Sequence, residues 1–169
     1  VALALVLGSL AHADTYALCI GINTYPATKG KDGKMEEHSL KGCINDAQTV
    51  ADWLKSKLSV PEANIHMLLD TKATGDEFVK EMKWLVHSAK PGDQIVFSYS
   101  GHGASISDKG AQNGRKSFIV MADEQLIPGK LFGDIAKEMA KRGVNSTYYF
   151  DSCYSGGMAR PDWKGIEVR

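Results

Sequence analysis

The sequence has few cysteines, and none of them stands in a metal-binding spacing. Its 169 residues include three, Cys19, Cys43 and Cys153, so at least one thiol is free or paired with another chain. The absence of any CxxC or HxxxH spacing argues against a zinc site. No Gly-x-Gly-x-x-Gly pattern follows the first apolar run beyond residue 14, which argues against a dinucleotide-binding fold.

The sequence also lacks an excess of charge of either sign. Twenty Lys and Arg residues balance twenty Asp and Glu residues. No basic stripe indicates a nucleic-acid partner, and no acidic tail indicates a solvated arm. Internal repeats and low-complexity tracts are missing as well. With 43% hydrophobic and 24% charged residues, the chain has the composition of one globular domain large enough for a sizeable core.

The N-terminal segment is apolar but too short to span a bilayer, so we expect no membrane partner. Residues 1–7 carry no charge, and Ala11-His12-Ala13 has the small-x-small pattern of a signal-peptidase site. We therefore predict that residues 1–13 are part of a signal peptide and that the mature chain begins at Asp14. The protein would then be exported, to a periplasm or as a secreted protein. A short buried N-terminal strand or helix is the alternative.

Apolar and amphipathic segments alternate along the rest of the chain. The predicted strands are Thr15–Ile22, Asn64–Asp70, Gln94–Tyr99, Ser117–Met121 and Ser146–Phe150. Three helices are predicted. Asn45 or Asp46 caps the first, the second begins at Thr74 or Asp76, and the third includes Leu131, Ile135 and Met139. Segments 23–41 and 104–114 are predicted as loops. This alternation predicts an α/β fold with a mostly parallel sheet and helices on both faces.

Side-chain patterns within these elements predict what each one buries. Val50, Trp53, Leu54 and Leu58 recur at helical spacing and predict the buried face of the first helix. Cys19 lies inside the first apolar strand and is predicted to be a core residue.

Two short segments place reactive side chains directly after predicted strands. His102 stands in Ser100-Gly101-His102-Gly103, and Cys153 stands in Asp151-Ser152-Cys153-Tyr154-Ser155-Gly156. Ligands of open α/β folds bind at the carboxyl ends of the strands, where both side chains are expected. We predict Cys153 as a nucleophile and His102 as its general base. A structural cysteine and a surface turn histidine are the alternatives.

Acyl transfer also needs hydrogen-bond donors for the negative charge that develops on the attacked carbonyl oxygen. The main-chain N–H groups of Gly103 and Cys153 lie at the two predicted strand-end turns. We predict them as the oxyanion donors.

With these motifs the chain resembles the caspase-like cysteine peptidases, in particular their metacaspase and bacterial orthocaspase branch. In caspases, too, the histidine precedes the cysteine by about 50 residues. The similar segments, in chain order, are Tyr16–Asn23, Leu40–Ala47, Tyr99–Gly103 and Asp151–Gly156. The resemblance implies a caspase-like three-layer α/β/α sandwich. It implies a catalytic domain over residues 14–158, equivalent to the large subunit, and a linker or processing tail over 159–169.

The sequence departs from related families at the cysteine. Asp-Ser-Cys replaces the Gln-Ala-Cys of true caspases, and Tyr154 stands where metacaspase-type enzymes often have histidine. Legumain-like and gingipain-like peptidases match this flank less well.

The resemblance further implies a cysteine endopeptidase that cleaves after Arg or Lys through a thioester acyl-enzyme. Acidic residues of the specificity pocket would be Asp46 and Asp151. The alternatives are a helix N-cap for Asp46, and for Asp151 a role in orienting the turn or His102. Family members are made as zymogens, so Arg169 is a candidate self-processing site and a small C-terminal segment is expected as a separate chain. A catalytically silent caspase-like binding module is the alternative function.

The family also bears on cofactors and assembly. Calcium activates many metacaspases and is therefore a possible activator here by resemblance, although no EF-hand pattern occurs and the chemistry itself requires no cofactor. Protein or peptide substrates are the expected partners. Metacaspases tend to stay monomeric, and we expect a monomer.

Overall fold

The computed structural model describes residues 13–110, 114–153 and 155. Its strands are β1 (Thr15–Gly21), β2 (Thr28–Lys29), β3 (Met35–Glu36), β4 (Ile65–Leu69), β5 (Gln94–Ser100), β6 (Gly103–Ser107), β7 (Arg115–Val120), β8 (Leu126–Pro128) and β9 (Asn145–Asp151). Its helices are α1 (Cys43–Leu58), α2 (Gly75–Ser88) and α3 (Lys130–Lys141).

The central sheet has the strand order β4-β1-β5-β9, and every neighbouring pair is parallel. Helix α1 packs on one face, while α2 and α3 pack on the other. The predicted α/β fold with a mostly parallel sheet is therefore confirmed. Because the strands are parallel, the carboxyl ends of β1, β5 and β9 meet at one edge, where both predicted reactive residues follow their strands.

The face under α1 is lined by small side chains. Ala47 and Ala51 of the helix and Ala17 and Cys19 of β1 are fully buried there. These residues let the helix approach the sheet closely. The prediction that Trp53 and Leu58 belong to the buried stripe is wrong, since their side chains are 46% and 48% exposed. The predicted burial of Cys19 is confirmed.

The opposite face carries larger side chains. Phe97 of β5 packs against Phe132 of α3 with ring centroids 4.9 Å apart, and Phe132 packs edge-on against Phe150 of β9 at the same distance. Phe78 of α2 joins them. Burial of a phenylalanine side chain contributes about 1.5–3 kcal/mol, so this cluster holds the β5–β9 pair and its strand ends in register.

Helix α1 begins earlier than predicted. Its N-cap is Gly42, in the left-handed region at φ 103°, and this glycine has no side chain with which to cap the helix. The side-chain oxygen of Asn23, just after β1, instead accepts the N–H of Cys43 at 3.0 Å. The prediction of Asn45 or Asp46 as the cap is wrong because a distant residue satisfies the free N–H. By contrast, Thr74 does cap α2 by accepting from Glu77 N–H.

A second, antiparallel sheet follows the central strand β5. Its order is β6-β7-β8, with β7 close to the predicted strand 117–121. The predicted loop 104–114 is wrong in its first part, because residues 103–107 pair with β7 as β6. The polar segment 23–41 also contains a short hairpin, formed by β2 and β3. Among the described residues, no helix has the length and apolar character needed to cross a membrane.

Candidate active site

The ends of β5 and β9 lie side by side. Ser100 and Asp151, the last residues of the two strands, are register partners, and Gly101 N–H donates to the carbonyl oxygen of Asp151 at 3.2 Å. His102 and Cys153 each follow two residues beyond this pair. The structure therefore brings the two predicted reactive residues to the same corner of the sheet, with His102 half-buried and Cys153 exposed.

Gly103 is in tight contact with the main chain of Cys153. A β-carbon placed on Gly103 would overlap the carbonyl oxygen of Cys153 and come within 3.3 Å of Ser152 Oγ. Only a glycine fits here without a shift of one of the two turns. The two residues predicted as oxyanion donors, Gly103 and Cys153, are therefore neighbours in space.

The imidazole of His102 is held by a main-chain group. Its Nε2 lies 2.6 Å from the carbonyl oxygen of His38. A carbonyl oxygen only accepts hydrogen bonds, so Nε2 must carry the hydrogen. In the neutral ring Nδ1 then has the free lone pair, and it is the nitrogen able to accept a proton.

The side chain of His38 anchors the segment that presents this carbonyl. His38 Nε2 and Thr28 Oγ1, from β2, lie 2.6 Å apart and form a hydrogen bond. His38 itself follows β3 by two residues. His38 thus connects the hairpin of β2 and β3 to the ring of His102.

Two tyrosine hydroxyls hold the main chain of His102. Its N–H donates to Tyr25 Oη at 2.9 Å, and its carbonyl oxygen lies 2.7 Å from Tyr99 Oη. The same carbonyl accepts Val120 N–H at 3.0 Å. Burial raises the pKa of Tyr25 and, more strongly, that of Tyr99, so both remain neutral phenols that can donate. The ring of Tyr25 also lies against the imidazole, with centroids 4.6 Å apart.

The two predicted pocket residues lie at this same corner. Ser100 Oγ donates to Asp46 Oδ2 at 2.8 Å, which ties the first turn of α1 to the end of β5. Register partners in a parallel pair point to the same face of a sheet, so Asp151 shares the α1 face with Ser100. Both acidic residues are exposed, as a charged ligand in solution would require.

The three cysteines are free thiols in very different surroundings. Burial raises the pKa of the Cys19 thiol to about 12, so this residue stays protonated in the core. Cys43 is buried at the start of α1, whereas Cys153 is exposed. Only Cys153 combines accessibility with a nearby imidazole.

Several residues of this corner were not predicted from the sequence. They are Asn23, Tyr25, Thr28, His38 and Ser100. Each forms a hydrogen bond to a residue 10 or more positions away in the chain, and no local spacing marks such a partner. The predicted residues Arg169 and Tyr154 lie outside the described part of the chain.

A cation site is not evident at this corner. Within residues 13–110, 114–153 and 155, no group of three or more His, Cys, Asp or Glu side chains is placed to hold a metal ion. No step of the proposed chemistry is assigned to a metal ion.

The chain is similar in sequence to proteins of one family. The family model of the metacaspase peptidase C14 domain matches residues 15–160. Metacaspase-4 of Arabidopsis thaliana is 34% identical over 150 residues, which cover 84% of this chain and 34% of that protein. Metacaspase-1A of Aspergillus oryzae is 32% identical over 151 residues, which cover 83% and 34%. The chain thus spans about a third of the length of these relatives.

A solved structure supports the fold independently. The crystal structure of a Geobacter sulfurreducens protein matches with a TM-score of 0.64 at 22% identity, over 83% of this chain and 50% of that chain. At this identity the likeness shows the fold alone. The family assignment depends instead on the sequence match, which includes both strand ends that carry His102 and Cys153. The chain therefore belongs to the metacaspase family, and its peptidase C14 domain lies within residues 15–160.

Proposed function

We propose that the protein is a cysteine endopeptidase that uses Cys153 as nucleophile and His102 as base. The observation that carries this proposal is the hydrogen bond from His102 Nε2 to the carbonyl oxygen of His38. It leaves Nδ1 as the basic atom at the corner of the sheet where Cys153 is exposed.

The reaction begins with proton transfer from the Cys153 thiol to Nδ1 of His102. The thiolate attacks the peptide carbonyl carbon, and the carbonyl oxygen becomes an oxyanion. This oxyanion accepts hydrogen bonds from the main-chain N–H groups of Gly103 and Cys153. The imidazolium then gives its proton to the leaving amine, the C–N bond breaks, and a thioester remains. Water attacks the thioester with His102 again as base, which releases the acid and restores the thiol.

Cleavage after Arg or Lys follows from the charge of this corner. Asp46 and Asp151 flank Ser100 on the α1 face, and the hydroxyl of Ser100 orients the Asp46 carboxylate. A guanidinium between two carboxylates forms charge-assisted hydrogen bonds, which are about twice as strong as neutral ones. An aspartate side chain would be repelled there.

We further propose that the protein is a zymogen that processes itself after Arg169 and retains a small C-terminal segment as a separate chain. The support for a second chain is strand β9, which lies at one side of the central sheet. Among the described residues β9 pairs only with β5, and Tyr149 on that strand is 49% exposed. An unpaired edge strand readily accepts another strand. Activation by calcium remains a proposal from family resemblance.

The experiment is a turnover assay on peptides that end in Arg, Lys, Asp or Asn, with and without calcium, for the wild type and for Cys153→Ala. We expect cleavage after Arg and Lys by the wild type alone. Preference for Asp or Asn would contradict the acidic pocket. Absence of turnover of every peptide, after addition of the C-terminal segment, would favour a catalytically silent binding module.

Self-processing needs its own measurement. Intact mass of the wild type and of Cys153→Ala should show a cut after Arg169 in the wild type only. A cut that persists in Cys153→Ala would mean that another protease makes it.

A further inference from the structure

A buried carboxylate that the proposed chemistry does not use lies at the amino-terminal ends of the parallel strands, opposite the candidate active site. Asp93 directly precedes β5 and is 6% exposed. Its Oδ1 accepts Asp14 N–H at 2.9 Å, and its Oδ2 accepts Lys90 N–H at 2.8 Å. No ion pair of the described residues includes Asp93.

Asp93 joins the starts of three strands. Its carbonyl oxygen accepts the N–H of Asn145, the first residue of β9, at 2.9 Å. Gln94, the first residue of β5, donates its N–H to the carbonyl oxygen of Asp14, just before β1. All three strands are parallel, so this cluster lies at the edge remote from His102 and Cys153.

The atom bound by Asp93 is the one that cleavage after Ala13 would convert to an α-ammonium group. In an uncleaved chain Asp14 contributes an amide with a single hydrogen. In a cleaved chain the same nitrogen has three hydrogens and a positive charge, which forms a stronger, charge-assisted bond to a carboxylate. Both carboxylate oxygens of Asp93 already accept an N–H group, and an α-ammonium group would in addition neutralise the negative charge.

The peptide bond between Ala13 and Asp14 is accessible. Ala13 and Asp14 are both exposed, and β1 begins only at Thr15, so cleavage removes no residue of the sheet. The surroundings favour a cation. Burial and then the carboxylates of Asp14 and Asp93 raise the pKa of Tyr16, which indicates a negative field at this corner.

We propose that Asp93 is a binding site for the N-terminal α-ammonium group of a mature chain that begins at Asp14, produced by cleavage after Ala13 during export. This half-buried ion pair locks the starts of β1, β5 and β9 together once the leader is removed. This site is independent of the peptidase activity, and its test does not measure turnover.

The docking test compares the thermal unfolding midpoints of three purified proteins. One begins at Asp14, one begins at Ala13, and one begins at Asp14 with an acetylated amine. For a domain of this size 1 kcal/mol shifts the midpoint by about 2–4 °C. We therefore expect the chain that begins at Asp14 with a free amine to unfold at least about 3 °C higher than the other two at pH 6. Equal midpoints would overturn the proposal.

Two variants separate the ion pair from a general effect of chain length. Asp93→Asn should abolish the difference between the three termini. Asp123→Asn, which removes a carboxylate that accepts Gly75 N–H but contacts no terminus, should preserve it. A difference that survives in Asp93→Asn would overturn the assigned partner. Should Asp93→Asn fail to fold, the three termini of the wild type still decide.

The cleavage is tested by export from a bacterial host, with an initiator Met and two lysines ahead of Val1. The intact mass of the exported protein should correspond to a chain that begins at Asp14. A chain that retains Ala13, or that begins at any other residue, would overturn the proposal.

Discussion

The Nε2 atom of His102 lies 2.6 Å from the main-chain carbonyl oxygen of His38. The third group of the proposed catalytic arrangement is therefore a backbone atom, and substitution of a side chain cannot remove it. Its position depends on the hydrogen bond between the His38 side chain and Thr28. This relationship makes Thr28, on the β2–β3 hairpin, a positioning residue.

Thr28→Val should weaken catalysis without unfolding the protein. A neutral hydrogen bond contributes about 0.5–1.5 kcal/mol, so its loss should lower kcat/KM for an arginine peptide by about 2–10-fold. Thr49→Val is the matched control, because Thr49 is exposed and its Oγ1 donates to Asn45 O on the solvent side of α1. Equal kcat/KM for Thr28→Val and wild type would show that the hairpin does not position His102.

Asp46→Asn and Asp151→Asn should each reduce the preference for basic residues. Hydrogen bonds to a charged group contribute about 1.5–3 kcal/mol, so kcat/KM for arginine peptides should fall about 10–100-fold, while peptides with a neutral residue at that position change little. Asp52→Asn, further along the exposed side of α1, should leave both rates unchanged. A uniform loss on all peptides would argue for a structural role.

Gly103→Ala should disrupt the proposed oxyanion site. The added methyl group overlaps the Cys153 carbonyl, so one turn must move, at a cost of about 1–3 kcal/mol. A displacement of about 1 Å in an active site can lower turnover by about 100-fold. Gly110→Ala is the control, because its β-carbon would meet only Asp108 Oδ1, at 3.4 Å. The measurements are kcat for an arginine peptide and the thermal midpoint; unchanged turnover by Gly103→Ala would contradict the close contact.

Thiol modification should distinguish the cysteines of the folded protein. The nucleophile is the thiolate, and burial raises the pKa of Cys19 to about 12, so Cys19 is protonated at all pH values well below that. Cys153 is exposed. Iodoacetamide at pH 7.5 should therefore modify Cys153 and leave Cys19 intact, as measured by peptide mass after digestion. Labelling of Cys19 under native conditions would show that the core opens readily.

The central sheet was predictable because its strands are continuous apolar runs. Burial on both faces selects such runs in β1 and β5, and the segments between them have helical spacing. Helix α1 departs from its apolar pattern. Its apolar pattern includes Trp53, but the sheet requires the small side chains of Ala47 and Ala51 at the contact.

The candidate site was predictable only in part, for a related reason. His102 and Cys153 are marked locally by flanking glycines and preceding strands. Partners that hold the site come from elsewhere in the chain: Tyr25, which holds the main chain of His102, is 77 residues from it, and Ser100, which holds Asp46, is 54 residues from that residue. Such partners depend on the packing of whole elements, so no spacing in the sequence indicates them.

The most direct test of the proposed mechanism is covalent capture of Cys153 by an arginyl peptide chloromethyl ketone, from which the thiolate displaces chloride. The masses of the intact proteins and of their digestion peptides are recorded for the wild type, Cys153→Ala and His102→Ala. The comparison probe is the same peptide ketone with aspartate in place of arginine. We expect one adduct on Cys153 with the arginyl probe, none with Cys153→Ala, and much slower labelling with His102→Ala or the aspartyl probe. An adduct on another residue, or faster capture by the aspartyl probe, would contradict the proposed mechanism.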